Sequence, residues 1–115
     1  MTVSLWAASS VTPTIGTETF LYSPSAIGVY TFHIDTASMV AGDYTELRVY
    51  QIVLTGCTAK VGYLETYQGA QPVDGQIKIS VPIGNDLAEA SAVRFSVKQT
   101  LGTARPFPWK ILRYS

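Results

Sequence analysis

Charge is what this chain has least of. Only 14% of its 115 residues are charged, eight basic against eight acidic, and the formal net charge at pH 7 is zero, where an ordinary globular domain carries about 25% charged residues. A general nucleic-acid binder needs a concentrated positive field to displace counterions from phosphates, and this balance excludes that class. With 47% hydrophobic residues, the chain is also unlike the apolar-poor, charge-rich segments that stay disordered. Cys57 is the single cysteine, so no internal disulfide can form and no oxidising compartment is implied. His33 is the single histidine, and one His with one Cys falls short of the three or four ligands a zinc site takes. Neither metal nor cofactor is expected. No apolar run approaches the roughly 18 residues of a membrane span. Met1–Ser10 has neither a basic n-region nor a continuous apolar h-region, Thr2 is not the glycine that myristoylation needs, and Arg113-Tyr114-Ser115 holds no prenylation cysteine. These absences predict a protein made and used without secretion or a membrane anchor.

What is present is a period of two. Tyr30, Phe32 and Ile34 share one face of Val29–Asp35 while Thr31, His33 and Asp35 share the other, because side chains alternate across a strand. Thr45–Leu54 repeats the pattern with Leu47, Val49 and Val53, and its second half is apolar on both faces. Further strands are expected around Thr17–Tyr22, over Ala59–Tyr67 with Val61, Tyr63 and Tyr67 together, and over Gln76–Val81 with Ile77, Ile79 and Val81 together. Val93, Phe95 and Val97 alternate with Arg94, Ser96 and Lys98, and Phe107, Trp109 and Ile111 mark a last strand. Pro106 and Pro108 lack backbone donors, which predicts that this strand starts at a sheet edge or outside the ladder. Gly, Pro, Asn and Asp punctuate the chain at short intervals. Asp35–Gly42 and Asp86–Ala90 read as single helical turns. The expected fold is all-β: one antiparallel sandwich, jelly-roll-like, of about seven to eight strands with minimal helix.

Chemistry-bearing constellations are thin. Cys57 and His33 form the sole cysteine-histidine combination, without a visible orienting third group. Asp35, Asp43, Asp74 and Asp86 sit beside Gly, Asn or Thr at expected turns, where short carboxylates satisfy backbone donors, so a convergent acid and base pair for glycoside cleavage is not expected. No phosphate-binding loop or dinucleotide fingerprint occurs. The protein reads as a non-enzyme.

Binding is the remaining reading. The chain has seven Tyr, two Trp and four Phe, and those not committed to apolar strand faces, Trp6, Tyr22, Tyr50, Tyr67 and Tyr114, are candidates for a protein interface, where aromatics are enriched. Leu5 and Arg105 join them. Met1–Thr14 is rich in Ser, Thr and Ala, with Leu5 and Trp6 as apolar anchors and Pro13 as a break. It is expected to be an extended arm that orders on a neighbour, followed by a domain over 15–115, although an ordinary first strand fits the same residues. After Glu89 the chain has no acidic residue, yet Arg94, Lys98, Arg105, Lys110 and Arg113 follow. Such a run is a solvated face or docks on an acidic surface.

The C-terminal stretch Val97-Lys98-Gln99-Thr100-Leu101-Gly102-Thr103-Ala104-Arg105-Pro106-Phe107-Pro108-Trp109-Lys110-Ile111-Leu112 resembles the ending of small structural proteins encoded among the head genes of tailed bacteriophages. The segment from Ile34-Asp35-Thr36 through Ala41-Gly42-Asp43 to Glu46-Leu47-Arg48-Val49 is similar to the same group. The resemblance implies a capsid cement or decoration protein, made in the bacterial host cytoplasm, that sits on the outer surface of the virion capsid. Its partner would be the major capsid protein, whose neighbouring subunits it bridges, and it would form a homo-oligomer, dimer or trimer, with no membrane and no direct nucleic-acid contact. In that signature Gly102 is expected at a positive φ, Arg105 on a carboxylate, and Phe107 and Trp109 in the core. A tail or tail-fibre component shares the fold class, and a carbohydrate-binding module would need exposed coplanar aromatics.

Overall fold

The computed structural model describes Thr2–Ser115; Met1, the first residue of the expected arm, lies outside the described residues. The alternation becomes nine strands: β1 (Val3–Val11), β2 (Thr19–Tyr22), β3 (Gly28–Asp35), β4 (Tyr44–Gln51), β5 (Lys60–Gln68), β6 (Ile77–Ile79), β7 (Ile83–Asn85), β8 (Val93–Leu101) and β9 (Phe107–Tyr114). They pair as a nested set, β4 with β5, β3 with β6 and β7, β2 with β8, and β1 with β9, all antiparallel. The chain is one long hairpin whose tip is the β4–β5 loop. Rolling that hairpin over adds the pairs β3·β9 and β4·β8 and gives two sheets, ordered β1-β9-β3-β6 with β7 also on β3, and β2-β8-β4-β5. This is the antiparallel β-sandwich expected, wound as a jelly roll. β6 and β7 act as one interrupted strand: Pro82 has no N–H to give the ladder, and Ser80 bridges the gap, its Oγ accepting from Phe32 N–H at 2.9 Å and its N–H donating to Phe32 C=O at 2.8 Å.

The core lies between the inner faces. Tyr30, Phe32 and Ile34 of β3 and Phe107, Trp109 and Ile111 of β9 meet Leu47 and Val49 of β4 and Val93, Phe95 and Val97 of β8. The Phe32 and Phe95 rings cross edge to face at 5.6 Å between centroids.

Three expectations change. Val3–Val11 is not a detached arm but a first strand, hydrogen-bonded to β9, because its alternation lets Ala7 and Val11 pack on the core rim. β9 is flanked by β1 and β3, while its start is as expected: Pro106 precedes the strand and the ladder to β3 ends at Trp109, so Pro108 lies outside that ladder. β4 stops at Gln51, and Val53 and Leu54 are exposed in a turn closed by Cys57 N–H on Leu54 C=O at 3.0 Å. The two expected helical turns are irregular loops, and the 3-10 turn Val73–Gly75 is the sole helical element among the described residues.

Candidate protein-interaction face

The outer face of the β1-β9-β3-β6 sheet is built by residues that alternate with the core. Register places them in rows across the strands: Val3, Tyr114 and Val29; Leu5, Leu112 and Thr31; Ala8, Lys110, His33 and Ile79. Ile77 continues the last column, and Val81 follows in the link to β7. The alternation of Ile77, Ile79 and Val81 is therefore as expected, but its direction is outward, since Ser80 and Lys78 point the other way to bond Phe32 and to lie over the Tyr67 ring. Ile77 and Ile79 are each 56% exposed, Val81 53%, Val3 54% and Leu5 64%. Two shallow depressions mark the face, about 340 Å³ between His33, Asp35, Ile77, Pro108 and Lys110, and about 490 Å³ between Val29, Thr31, Pro82 and Tyr114.

Polar groups on this face are few and tied down. His33 Nε2 lies 2.9 Å from Thr31 Oγ1, which is 3.2 Å from Tyr114 Oη. Burial, and secondly the Lys110 ammonium, hold the His33 imidazole below its ordinary value near 6.5, so it is neutral at pH 7. Lys110 and Asp35 carry the charges there, one of each sign.

The opposite outer face also exposes apolar side chains, Phe20, Val61, Leu64 and Leu101, but sets them around a charged and polar network. Glu18 accepts from Tyr50 Oη at 2.8 Å and Ser96 Oγ at 2.6 Å and lies 4.0 Å from Arg48 Nη1; Arg48 Nη2 donates to Glu46 at 2.8 Å. The Arg94 guanidinium stacks 3.8 Å above the Phe20 ring, which packs on Tyr50. Most of these groups are paired within the network, the buried Arg48 Nε excepted.

The seven residues expected at an interface are thus dispersed. Leu5 and Tyr114 share the apolar face. Trp6, Tyr22 and Tyr67 pack against the core instead: Trp6 sits in the bulge of β1, edge-on to Tyr30 at 6.3 Å with Arg113 over its ring at 4.8 Å, and burial pushes the Tyr67 hydroxyl up to about 12. Tyr50 belongs to the Glu18 network. Arg105 is internal, its Nε 2.9 Å from the buried Asp43 carboxylate. Val3, Val29, Ile77, Ile79 and Val81 are not among the expected interface residues; for the last three the signal is the run Gln76–Val81 itself, whose polar side holds the hydroxyl that closes the ladder, and Val3 and Val29 carry no such signal.

The basic run after Glu89 forms no single patch: Arg94 lies on Phe20, Arg105 on Asp43, Arg113 on Trp6, and Lys110 on the apolar face. Asp35 and Asp43 serve turns, accepting from Ala37 N–H at 2.9 Å and Val40 N–H at 3.0 Å. Cys57 is exposed in the β4–β5 loop, on a different sheet from His33. Among the described residues no cluster of three or more His, Cys, Asp or Glu is placed to hold a metal ion, and no helix is long and apolar enough to cross a membrane. Comparison with protein families, with curated proteins and with solved structures finds no match for this chain.

Proposed function

We propose that this protein is a non-enzymatic structural component of a virion, a cement or decoration protein that lies on the outer capsid surface and bridges major capsid subunits. The observation that carries the reading is the outer face of the β1-β9-β3-β6 sheet, where six aliphatic side chains, Val3, Leu5, Val29, Ile77, Ile79 and Val81, are each at least 39% exposed. Together they present roughly 500 Å² of surface, at the size where exposed apolar patches on small proteins mark interaction sites. The jelly roll supports the reading as a fold used in capsid domains, though fold alone assigns no function. The resemblance of the C-terminal stretch to phage head proteins names the class of partner.

The magnitudes fit a protein that acts in many copies. Burying roughly 500 Å² at about 25 cal/mol per Å² gives on the order of 12 kcal/mol gross, and association costs about 4 to 15 kcal/mol before anything is gained. A single copy on a single shell subunit binds weakly. Contacts with two neighbouring subunits convert the second into a local event and make the attachment firm.

Quantitative mass spectrometry of purified particles, against the major shell protein, tests this. A copy number comparable with the shell protein, and weaker shells after a wash that strips it, are expected. A handful of copies per particle would refute the cement role in favour of a tail component, and absence from particles would refute a virion role.

A further inference from the structure

The sandwich has four strand margins, and three are guarded. β2 is four residues long, β6 and β7 are three residues each, and β5, though nine residues long, carries Lys60, Gly62 and Glu65. Short strands, edge charges and bulges are devices by which sheets refuse further strands. β1 is long and uncharged, and its bulge at Leu5/Ala7 guards one half of it. Its nine residues, Val-Ser-Leu-Trp-Ala-Ala-Ser-Ser-Val, include no charge, no proline and no glycine, and only β9 pairs with it.

The direction of its free backbone groups follows from the register. Ser10 pairs with Pro108, which has no N–H, so that pair is of the non-hydrogen-bonded kind and the N–H and C=O of Ser10 point away from β9. By the alternation of antiparallel ladders the same holds for Ala8. At the other end Thr2 and Ser115 exchange both hydrogen bonds, at 2.6 and 2.9 Å, so Val3 and Leu5 also point outward. Beyond the bulge at Leu5/Ala7 the run Ala7–Val11 is regular and its side chains are small, which lets another backbone approach.

We infer that β1 pairs antiparallel with β1 of a second copy of this chain. The occupant follows from charge and symmetry. An isologous contact sets a strand against itself, which a charged edge forbids and this uncharged one permits. A two-fold axis between antiparallel strands stands perpendicular to the sheet. Both copies therefore turn the same outer face to the same side, and the two apolar faces join across Val3, Leu5 and Ala8 into one surface with two equivalent halves. The pairing stands apart from the docking reading; its consequence, a two-handed grip on adjacent shell subunits, rests on that reading.

Sedimentation equilibrium of the purified full chain over a hundredfold concentration range tests the pairing. The wild type is expected to approach twice the chain mass. Ala8→Pro, which removes an outward N–H, and Ala8→Lys, which leaves every backbone group in place and adds an edge charge, are expected to stay at the chain mass with an unchanged circular dichroism spectrum. A wild type monomeric at every concentration would overturn the inference, as would a dimer that survives Ala8→Lys and is lost in Ile79→Asp, since that would place the contact face to face. Shell binding by a chain that stays monomeric refutes the pairing and leaves docking standing; a dimer that ignores shells does the reverse.

Discussion

Replacing Asp43 by alanine is expected to cost about 3 kcal/mol of stability, and the number follows from what its carboxylate holds. The side chain is 1% exposed. One oxygen accepts from Val40 N–H at 3.0 Å and from Arg105 Nε at 2.9 Å, and the Thr103 N–H adds a further bond. Removing it strands the Val40 and Thr103 donors and leaves Arg105, itself 27% exposed, partly solvated. Solvent screening keeps the ion pair's share to about 1 kcal/mol, with the rest in the backbone donors. In a domain of this size, stable by about 5 to 15 kcal/mol, a loss of 3 lowers the melting temperature by roughly 10 to 15 °C. Urea denaturation followed by the fluorescence of the buried Trp109 reads it, in a cycle with Arg105→Met that isolates the pair. Burial raises the Asp43 carboxyl, but the Val40 N–H, the Arg105 guanidinium and the Thr103 N–H outweigh burial and hold it below its ordinary value of 3.8. A depressed carboxyl contributes stability that is complete above its unfolded value and lost as pH falls through the folded one. The gap between wild type and Asp43→Asn is therefore expected to close in acid. An Asp43→Ala variant within 0.5 kcal/mol of wild type, or an Asp43→Asn gap that stays constant from pH 7 to pH 2.5, would refute the reasoning.

Gly102→Ala is expected to cost at least as much as Asp43→Ala in the same assay, because φ at 102 is +94° and a Cβ there would meet the Asp43 carboxylate and approach its Cα to 3.0 Å. A loss under about 1 kcal/mol would show that the turn relaxes freely. His33 is held neutral by burial and by Lys110, so the unfolded chain takes up a proton first, and stability is expected to fall as pH drops below about 6.5 while His33→Gln shows no such step in a titration of the unfolding midpoint. Glu18→Gln and Tyr50→Phe, which disturb the opposite outer face, are expected to lower stability by about 1 kcal/mol each and to leave shell binding unchanged. Ile79→Asp is expected to do the converse in a co-sedimentation assay with stripped shells; equal effects of the two faces would remove the distinction drawn between them.

Strand positions were legible wherever a period of two ran between turn residues, as in Val93–Val97, because that pattern depends on nothing outside the strand. The direction a strand faces was not. In Gln76–Val81 hydrophobicity alone assigns Ile77, Ile79 and Val81 to the core, but Ser80 is needed inside to bond Phe32, and one internal hydroxyl fixes the orientation of its neighbours. Sheet position was half hidden: prolines at 106 and 108 mark a strand start outside the ladder to β3, but not that the roll places β9 between β1 and β3, a fact set by pairings more than 80 residues apart in the chain, such as Val29 with Tyr114. Aromatic residues were poor guides to the interface for the same reason. Tyr22 and Tyr67 lie near strand ends and Trp6 at the β1 bulge, where a large ring finishes the core rather than leaving it.

Two stretches far apart in the chain, 34–49 and 97–112, meet at one point in space. Gly42 and Asp43 come from one, Gly102 and Arg105 from the other; the Arg105 Nε donating to Asp43 at 2.9 Å joins them, and buried Gln99 shapes the second, its amide donating to Thr103 C=O at 2.7 Å and its carbonyl accepting from Arg105 N–H at 3.1 Å. That junction holds the β8–β9 turn against the start of β4 and so fixes how the long hairpin rolls. Leu5, Val29, Ile77, Ile79 and Val81 lie on the outer face of the β1-β9-β3-β6 sheet and take no part in that junction. On the docking reading proposed above, exchanging the outer-face residues is expected to alter shell binding, and exchanging Asp43, Gly102 or Arg105 to change whether there is a domain to bind at all.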